Sequence, residues 1–200
     1  MKTSFILASS SPFRKSILKK ILPEFDAFSP DIDESPKLNE SPLNLVERLA
    51  IEKAQTASQF YEKGIVIGSD QVALFAEQIL GKPHTREKAI EQLSLFSGQK
   101  VQFITSLAVF DIESDKIQVT HDITQVYFRE LTQNQIEQYI DTEQPLNCAG
   151  SFKSEGLGIV LFDKIVGEDP NSLVGLPLIK LTSLLKEFNI DPLNLQTNKS

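Results

Sequence analysis

The sequence predicts a mixed β-sheet in an α/β or α+β fold. Three observations lead there. Short apolar runs alternate with stretches of helical periodicity, the strand-like stretches 100–110 and 116–128 stand close enough to pair as one long hairpin, and 40% hydrophobic against 24% charged residues supplies an ordinary soluble core. Two hundred residues fit a single domain, bent into two lobes at most, which we set at 1–194 with a polar, frayed tail over 195–200.

Each element follows from local pattern. Ser4–Ala8 reads as a short buried strand, broken by Ser9-Ser10-Ser11-Pro12 before a helix over Arg14–Leu22 whose Ile17, Leu18, Ile21 and Leu22 share a face. Pro23 ends that helix, and Phe25–Phe28 is strand-like. Ser29–Ser41 holds Pro30 and Pro36 among Asp31, Asp33, Glu34 and Glu40 and reads as loop. Ser41-Pro42 then supplies an N-cap and a first-turn proline for a helix carrying Leu43, Val46, Leu49, Ala50, Ala54 and Ala57.

Gly64–Gly68 is a brief apolar run, and Ser69-Asp70-Gln71 sets a carboxylate just beyond it, where ligand sites of α/β sheets tend to lie. A helix is predicted over Arg86–Phe96, stopping at Gly98. Thr132-Gln133-Asn134-Gln135 is a capping box opening a helix through Ile140. Cys148–Gly158 reads as a glycine-bearing loop, Ile159–Phe162 as a strand and Leu178–Phe188 as a last helix.

Charge narrows the function classes. Twenty Lys and Arg against 27 Asp and Glu give a net charge of −7, which repels nucleic-acid backbones and anionic membranes, so an anionic ligand must meet a local basic pocket or a metal. No basic run exceeds Lys19-Lys20, and no stretch approaches the ~20 apolar residues of a membrane span. The apolar start Phe5–Ala8 is too short for an export signal, and the single Cys148 forms no internal disulfide; both fit a cytoplasmic protein.

Common motifs fail on inspection. In Gly150-Ser151-Phe152-Lys153-Ser154, Phe152 takes the glycine position of a P-loop, and Gly156-Leu157-Gly158 has Leu161 where a dinucleotide fingerprint needs glycine. A zinc or thiol–histidine site would draw on His84, His121 and Cys148 alone; His121 sits in the alternating hairpin as a packed or edge residue, and Cys148 reads as a small buried side chain. What remains are charges beside strand ends and turns: Arg14, Glu34, Lys53, Asp70, Lys82, Lys153 and Glu155. Arg14 either holds a phosphate at a helix start or is an exposed arginine. Lys53, beside the stripe of Val46 and Leu49, either snorkels to solvent or points into a cleft. Gly81-Lys82-Pro83 suits a phosphate clamp and is equally ordinary turn composition. Asp70 and Glu34 have the chemistry to ligate Mg²⁺ or to orient water.

Six ordered strings resemble one family. Leu7-Ala8-Ser9-Ser10-Ser11-Pro12-Phe13-Arg14, Asp31-Ile32-Asp33-Glu34, Glu52-Lys53-Ala54, Gly68-Ser69-Asp70-Gln71, Gly81-Lys82-Pro83 and Ala149–Gly158 look like the Maf nucleotide pyrophosphatases, from about Phe5 to about Leu184. The resemblance implies hydrolysis of the α,β-phosphoanhydride of a nucleoside triphosphate with a divalent metal, Mg²⁺ or Mn²⁺. It also implies an inosine-triphosphatase-like (Maf/Ham1) fold, an elongated mixed sheet flanked by helices with two lobes around a central cleft. By position, Asp70 matches the proton acceptor and Glu34 a second acidic site residue, both candidate metal ligands. Lys53 and Lys82 match catalytic basic positions, and Ser9, Arg14, Lys53 and Lys82 line the phosphates. The resemblance also implies a homodimer.

The stretch Cys148–Gly156 is most similar to the YceF branch, described as 7-methyl-GTP pyrophosphatases, and Phe13, Gln71 and Glu155 match its specificity positions. Branches acting on dTTP and UTP carry arginine and glutamine where this chain has Phe13 and Glu155. Methylation at N7 makes guanine cationic, so an aromatic face attracts it by about 0.5–2 kcal/mol. A carboxylate suits the guanine N1 and N2 donors. Relatives in that branch carry tryptophan, the stronger cation–π partner, where this chain has Phe13, which implies weaker affinity or looser selectivity. The competing expectations are a pyrophosphatase for dTTP, UTP or broader nucleotides, and a nucleotide-sensing regulator of septum formation.

Overall fold

The computed structural model describes residues 3–196. Seven strands, β1 (Phe5–Ala8), β2 (Asp26–Phe28), β3 (Ile65–Phe75), β4 (Gln78–Leu80), β5 (Lys100–Asp111), β6 (Lys116–Phe128) and β7 (Phe162–Val166), form one sheet in the order β2-β1-β3-β5-β6-β7, with β4 on β3. The helices are α1 (Pro12–Leu18), α2 (Pro42–Gln55), α3 (Arg86–Phe96), α4 (Gln133–Glu143) and α5 (Leu178–Lys186). The sheet is mixed: β1 runs parallel to β2 and β3, while β4 and β7 pair antiparallel with β3 and β6.

The described residues form two compact units. One comprises the chain up to Asp70, Thr105–Asp122 and the chain from Asp169; the other comprises Gln71–Ile104 and Ile123–Glu168. In the first unit β1 and the stretch of β3 up to Asp70 are buried on both faces, as expected of parallel strands covered on both sides. Phe5, Leu7, Ile65 and Ile67 pack with Ile17 and Leu18 of α1 and with Leu181 and Leu185 of α5. Their alternates Ile6, Ala8 and Val66 pack against Ala50, Ala54 and Ala57. The second unit is pinned by rings: Phe152 lies 5.2, 5.7 and 4.9 Å, centroid to centroid, from Phe103, Phe128 and Phe162. Phe152, the residue that disqualifies a P-loop, is therefore a core anchor.

Several elements differ from the sequence reading, each for a local reason. The first helix begins at Pro12, not Arg14, because Ser11 caps it by accepting from the Arg14 amide and proline serves at the first turn; it ends at Leu18 rather than Leu22. β3 continues to Phe75, so Asp70 lies within a strand, yet β1 stops at Ala8 in register with the stretch before it. Ile159–Phe162 is not a strand: Leu157–Leu161 is a 3-10 turn and β7 starts at Phe162. Of the proposed tail, Leu195 closes a 3-10 turn (Pro192–Leu195), and Gln196 donates to the Ile21 carbonyl 2.8 Å away; 197–200 lie outside the described residues.

α2 comes close to the sheet at Gly68. A Cβ there would stand 2.2 Å from the Ala50 carbonyl oxygen and 2.9 Å from the Ala54 nitrogen, both backbone atoms of α2. Gly68→Ala is expected to lower unfolding free energy by about 2–3 kcal/mol in urea titrations, since α2 must lift off the sheet. Gly81→Ala, whose Cβ would meet nothing within 4 Å, is the control and should change it by less than about 0.5 kcal/mol.

Candidate functional site

Close packing at Gly68 decides what the next outward residue on that strand face meets. Side chains two apart on a strand share a face, so Asp70 points to the same side as Gly68. On α2, Lys53 lies between Ala50 and Ala54, the two residues that straddle Gly68. Its ammonium reaches Asp70 Oδ1 at 2.7 Å and Glu34 Oε1 at 2.7 Å. Lys53 and Asp70 are buried, while the Glu34 side chain keeps 55% of its surface in solvent. Lys53 thus neither snorkels nor stands alone: it joins two carboxylates from different elements.

Arg14 completes this group. It is half-buried, and its Nε donates to the Gly175 carbonyl at 2.8 Å, so it is not the freely exposed arginine that spacing allowed. Burial pulls its pKa below the ordinary value, and the negative charges of Asp70 and then Glu34 oppose that pull. The Gly175 carbonyl also accepts from Ser69 Oγ at 2.9 Å, and Ser69 is wholly buried on the strand face opposite Asp70. The loop carrying Gly175 is held by buried Asp169, whose carboxylate accepts from the amides of Asn171 and Ile179. Ser9, also buried, accepts from the Ser11 amide at 3.2 Å and shapes the turn into α1, where Phe13 sits half-buried.

Sequence reasoning missed how Glu34 is held. Its loop has no regular structure, but Arg48 of α2 grips it: Nε and Nη2 bind Glu40 at 2.6 and 2.8 Å, and Nη2 also donates to the Ser35 carbonyl at 3.1 Å. Nη1 is tied back to Glu52 at 3.0 Å, one helical turn on. An arginine followed by glutamate at i+4 was the available signal, but the carbonyl it would reach was not readable.

The second unit holds the other predicted residues. Gln71 follows Asp70 on β3 and is half-buried; Lys82 is exposed in the turn before α3; Glu155 is exposed on the loop before β7. Lys82, Lys153 and Glu155 all act electrostatically on Cys148, whose thiol pKa is pushed up first by burial and next by Glu155. Cys148 is only partly buried, a correction to the small-core reading. His121 belongs to the first unit, on the hairpin, with Nδ1 3.0 Å from Glu47 Oε1. Among the described residues no group of three or more His, Cys, Asp or Glu side chains is arranged to hold a metal ion. Glu34 and Asp70, which meet at the Lys53 ammonium, offer the carboxylate oxygens that a hard divalent ion takes.

A family model described as Maf-like protein matches residues 4–188. The chain belongs to this family. The 7-methyl-GTP pyrophosphatase of Pseudoalteromonas translucida (strain TAC 125) is 58% identical to this Maf-like chain over 198 residues, covering 99% of it and 98% of the relative. The protein of the same name from Colwellia psychrerythraea (strain 34H / ATCC BAA-681) is 53% identical over 197 residues, covering 98% of each. Among solved structures, the Staphylococcus aureus Ham1 protein matches with a TM-score of 0.53 at 15% identity, over 93% of this chain and 100% of that one, a likeness of fold. No described helix is long and apolar enough to cross a membrane.

The Arg48 clamp has a measurable signature. Arg48 first, and the Lys37 amide next, hold the Glu40 carboxyl at about 2, against an ordinary 4.5. A depressed folded value means that the contact stabilises fully above the unfolded pKa and is lost as pH falls through about 2. Carboxyl NMR titration should find Glu40 inflecting near 2, and near the ordinary value in Arg48→Ala. The same variant should be cut by trypsin after Lys37 about tenfold faster, because the loop around Glu34 loses its anchor.

Proposed function

We propose that this Maf-like protein is a nucleoside triphosphate pyrophosphatase that hydrolyses 7-methyl-GTP to 7-methyl-GMP and diphosphate, removing a modified nucleotide from the cell. The observation that carries the reading is the pairing of buried Lys53 with buried Asp70 and solvent-facing Glu34, beside Arg14, in a chain 58% identical to a 7-methyl-GTP pyrophosphatase. The chemistry asked of the residues is modest. A water oxygen bonds to phosphorus of the α,β-anhydride as the bridging P–O bond breaks, and the electron pair leaves with diphosphate.

Asp70 takes the proton of that water. Lys53 occupies its Oδ1, which orients the carboxylate and leaves Oδ2 for the water. Arg14, fixed through Nε by Gly175, turns its remaining guanidinium N–H groups to phosphate oxygens, with Ser9 at the adjoining turn. Lys53 and Lys82 are assigned to the phosphates on the family's pattern. Arg14 and Lys53 only balance Glu34 and Asp70, so the charge of a triphosphate requires more. Glu34 and Asp70 would hold a divalent cation, Mg²⁺ or Mn²⁺, which offsets phosphate charge when bound.

Base choice is assigned to Phe13, Gln71 and Glu155 on the family's pattern. The aromatic ring gives a cationic purine a cation–π partner, and the carboxylate accepts from its N1 and N2 donors. A cytoplasmic setting accords with one unpaired cysteine, and a homodimer is carried over from the family pattern.

Diphosphate release should be measured with 7-methyl-GTP, GTP, dTTP and UTP at equal concentration. Fastest turnover of 7-methyl-GTP is expected; equal or faster turnover of dTTP overturns the substrate assignment. Asp70→Asn should lower kcat by about a hundredfold or more while the variant still binds the nucleotide. Chelation with EDTA should abolish turnover, and added Mg²⁺ or Mn²⁺ should restore it.

A further inference from the structure

The segment from Ser151 to Gly158 is fixed nearly everywhere except at the residue assigned to base choice. Ser151 Oγ bonds Gln92 of α3, and Phe152 is buried among Phe103, Phe128 and Phe162. The Lys153 amide donates to the hydroxyl of buried Tyr139 at 2.9 Å. The Lys153 carbonyl accepts from both the Gly156 and Gly158 amides, at 3.2 and 3.0 Å. A Cβ on Gly158 would lie 2.2 Å from that carbonyl oxygen, so the turn closes this tightly only with glycine. Glu143, at the end of α4, takes the Leu157 amide on Oε1 at 2.9 Å and has Oε2 3.6 Å from the Lys153 ammonium, which also donates to the Glu143 carbonyl.

Lys153 is therefore consumed by the scaffold and is not left as a phosphate ligand. Between the anchored ends, Glu155 is exposed, and its Oε2 accepts a long hydrogen bond from neighbouring Ser154 Oγ at 3.4 Å. An exposed carboxylate ordinarily samples many positions. This one is carried on a short turn nailed to α4 at both sides, which restricts where it can be while the bracing contacts fall on Lys153 and Leu157 rather than on its own carboxylate.

We propose that Tyr139 and Glu143 of α4 are positioning residues for base selection: by bracing Lys153 and Leu157 they preorganise the Glu155 carboxylate to receive the donor edge of a 7-methylguanine base. The inference rests on the reading of Glu155 given above. Neither side chain touches substrate; each acts through the turn. Tyr139 stays protonated across the working range, since burial pushes its pKa up, so its hydroxyl remains a neutral acceptor for the Lys153 amide.

The test compares Tyr139→Phe, Glu143→Ala and Glu155→Ala, with 7-methyl-GTP and GTP as substrates and Mg²⁺ present. Tyr139→Phe keeps the ring and removes only the hydroxyl, and thermal unfolding checks that each variant is folded. The ratio of kcat/KM for 7-methyl-GTP over GTP should fall about tenfold in Tyr139→Phe and Glu143→Ala, through KM for 7-methyl-GTP rather than kcat. Amide hydrogen exchange at Lys153 and Leu157 should quicken in the corresponding variant. Combining either change with Glu155→Ala should lower the ratio no further than Glu155→Ala alone. If Glu155→Ala lowers the ratio while Tyr139→Phe and Glu143→Ala leave it intact, or if the double variants lose more, the positioning role is overturned by itself. If Glu155→Ala leaves the ratio unchanged, the base-selection reading fails and takes this inference with it.

Discussion

The distance between one helix backbone and one strand governs the first unit. α2 comes down on β3 so closely that Gly68 has room only for hydrogen against the Ala50 carbonyl. A lysine stem has to cross that narrow gap for its ammonium to meet a strand carboxylate, and Lys53 does so at 2.7 Å. Taking both charges out of water is costly unless geometry and further hydrogen bonds compensate. Glu34, reaching the same ammonium from a solvent-facing loop, supplies that compensation. The three residues are thus interdependent: α2 sets the lysine, the lysine sets Asp70, and Arg48 on the same helix sets the loop of Glu34.

For a protein of net charge −7 to act on a triphosphate, as proposed, it has to concentrate its cations. Arg14 and Lys53 are held by opposite charges that lower the cost of burying them, and those carboxylates in turn have the chemistry to hold a divalent ion. The ion pairs are poor evidence of stability in themselves, since apolar replacements of buried pairs are often as stable. Their value lies in fixing which oxygen of Asp70 is engaged and which is left.

Much of this fold is legible in the amino-acid sequence. Period-2 and period-3.6 patterns give β1, α2, α3, the β5–β6 hairpin and α4 nearly at their observed bounds, because each has a cap or a turn residue that states its end: Ser41-Pro42, Gly98, Thr132 with Gln135. Errors fall where local chemistry is ambiguous. Pro12 breaks a strand and also starts a helix, and Leu157–Leu161 is as apolar as a strand but forms a 3-10 turn whose first amide is held by Glu143. The site residues are legible as types, through family strings. Their partners are not: the Gly175 carbonyl meets Arg14 and Ser69 from far away in sequence, and Asp169 and Arg48 act on backbone amides and a carbonyl of irregular loops, which no spacing rule encodes.

What holds β3 in register is the remaining question of principle. A strand with one apolar face resists a one-residue slip because the slip would turn its apolar set to solvent. In β3 that protection is missing: Ile65 and Ile67 face α1 and α5, Val66 faces α2, and exchanging them would bury comparable side chains on either side. The discrimination comes at the next two positions. A slip would press Ser69 or Ile67 against the Ala50 carbonyl, where only glycine fits. It would also strip the buried Ser69 hydroxyl from the Ser106 and Gly175 carbonyls that it bonds at 2.7 and 2.9 Å. Leaving buried polar groups unpaired costs about 1–3 kcal/mol each. Asp70 and Gln71 lie immediately beyond, on opposite faces of the strand, so the residues that set the register also set which face receives the carboxylate.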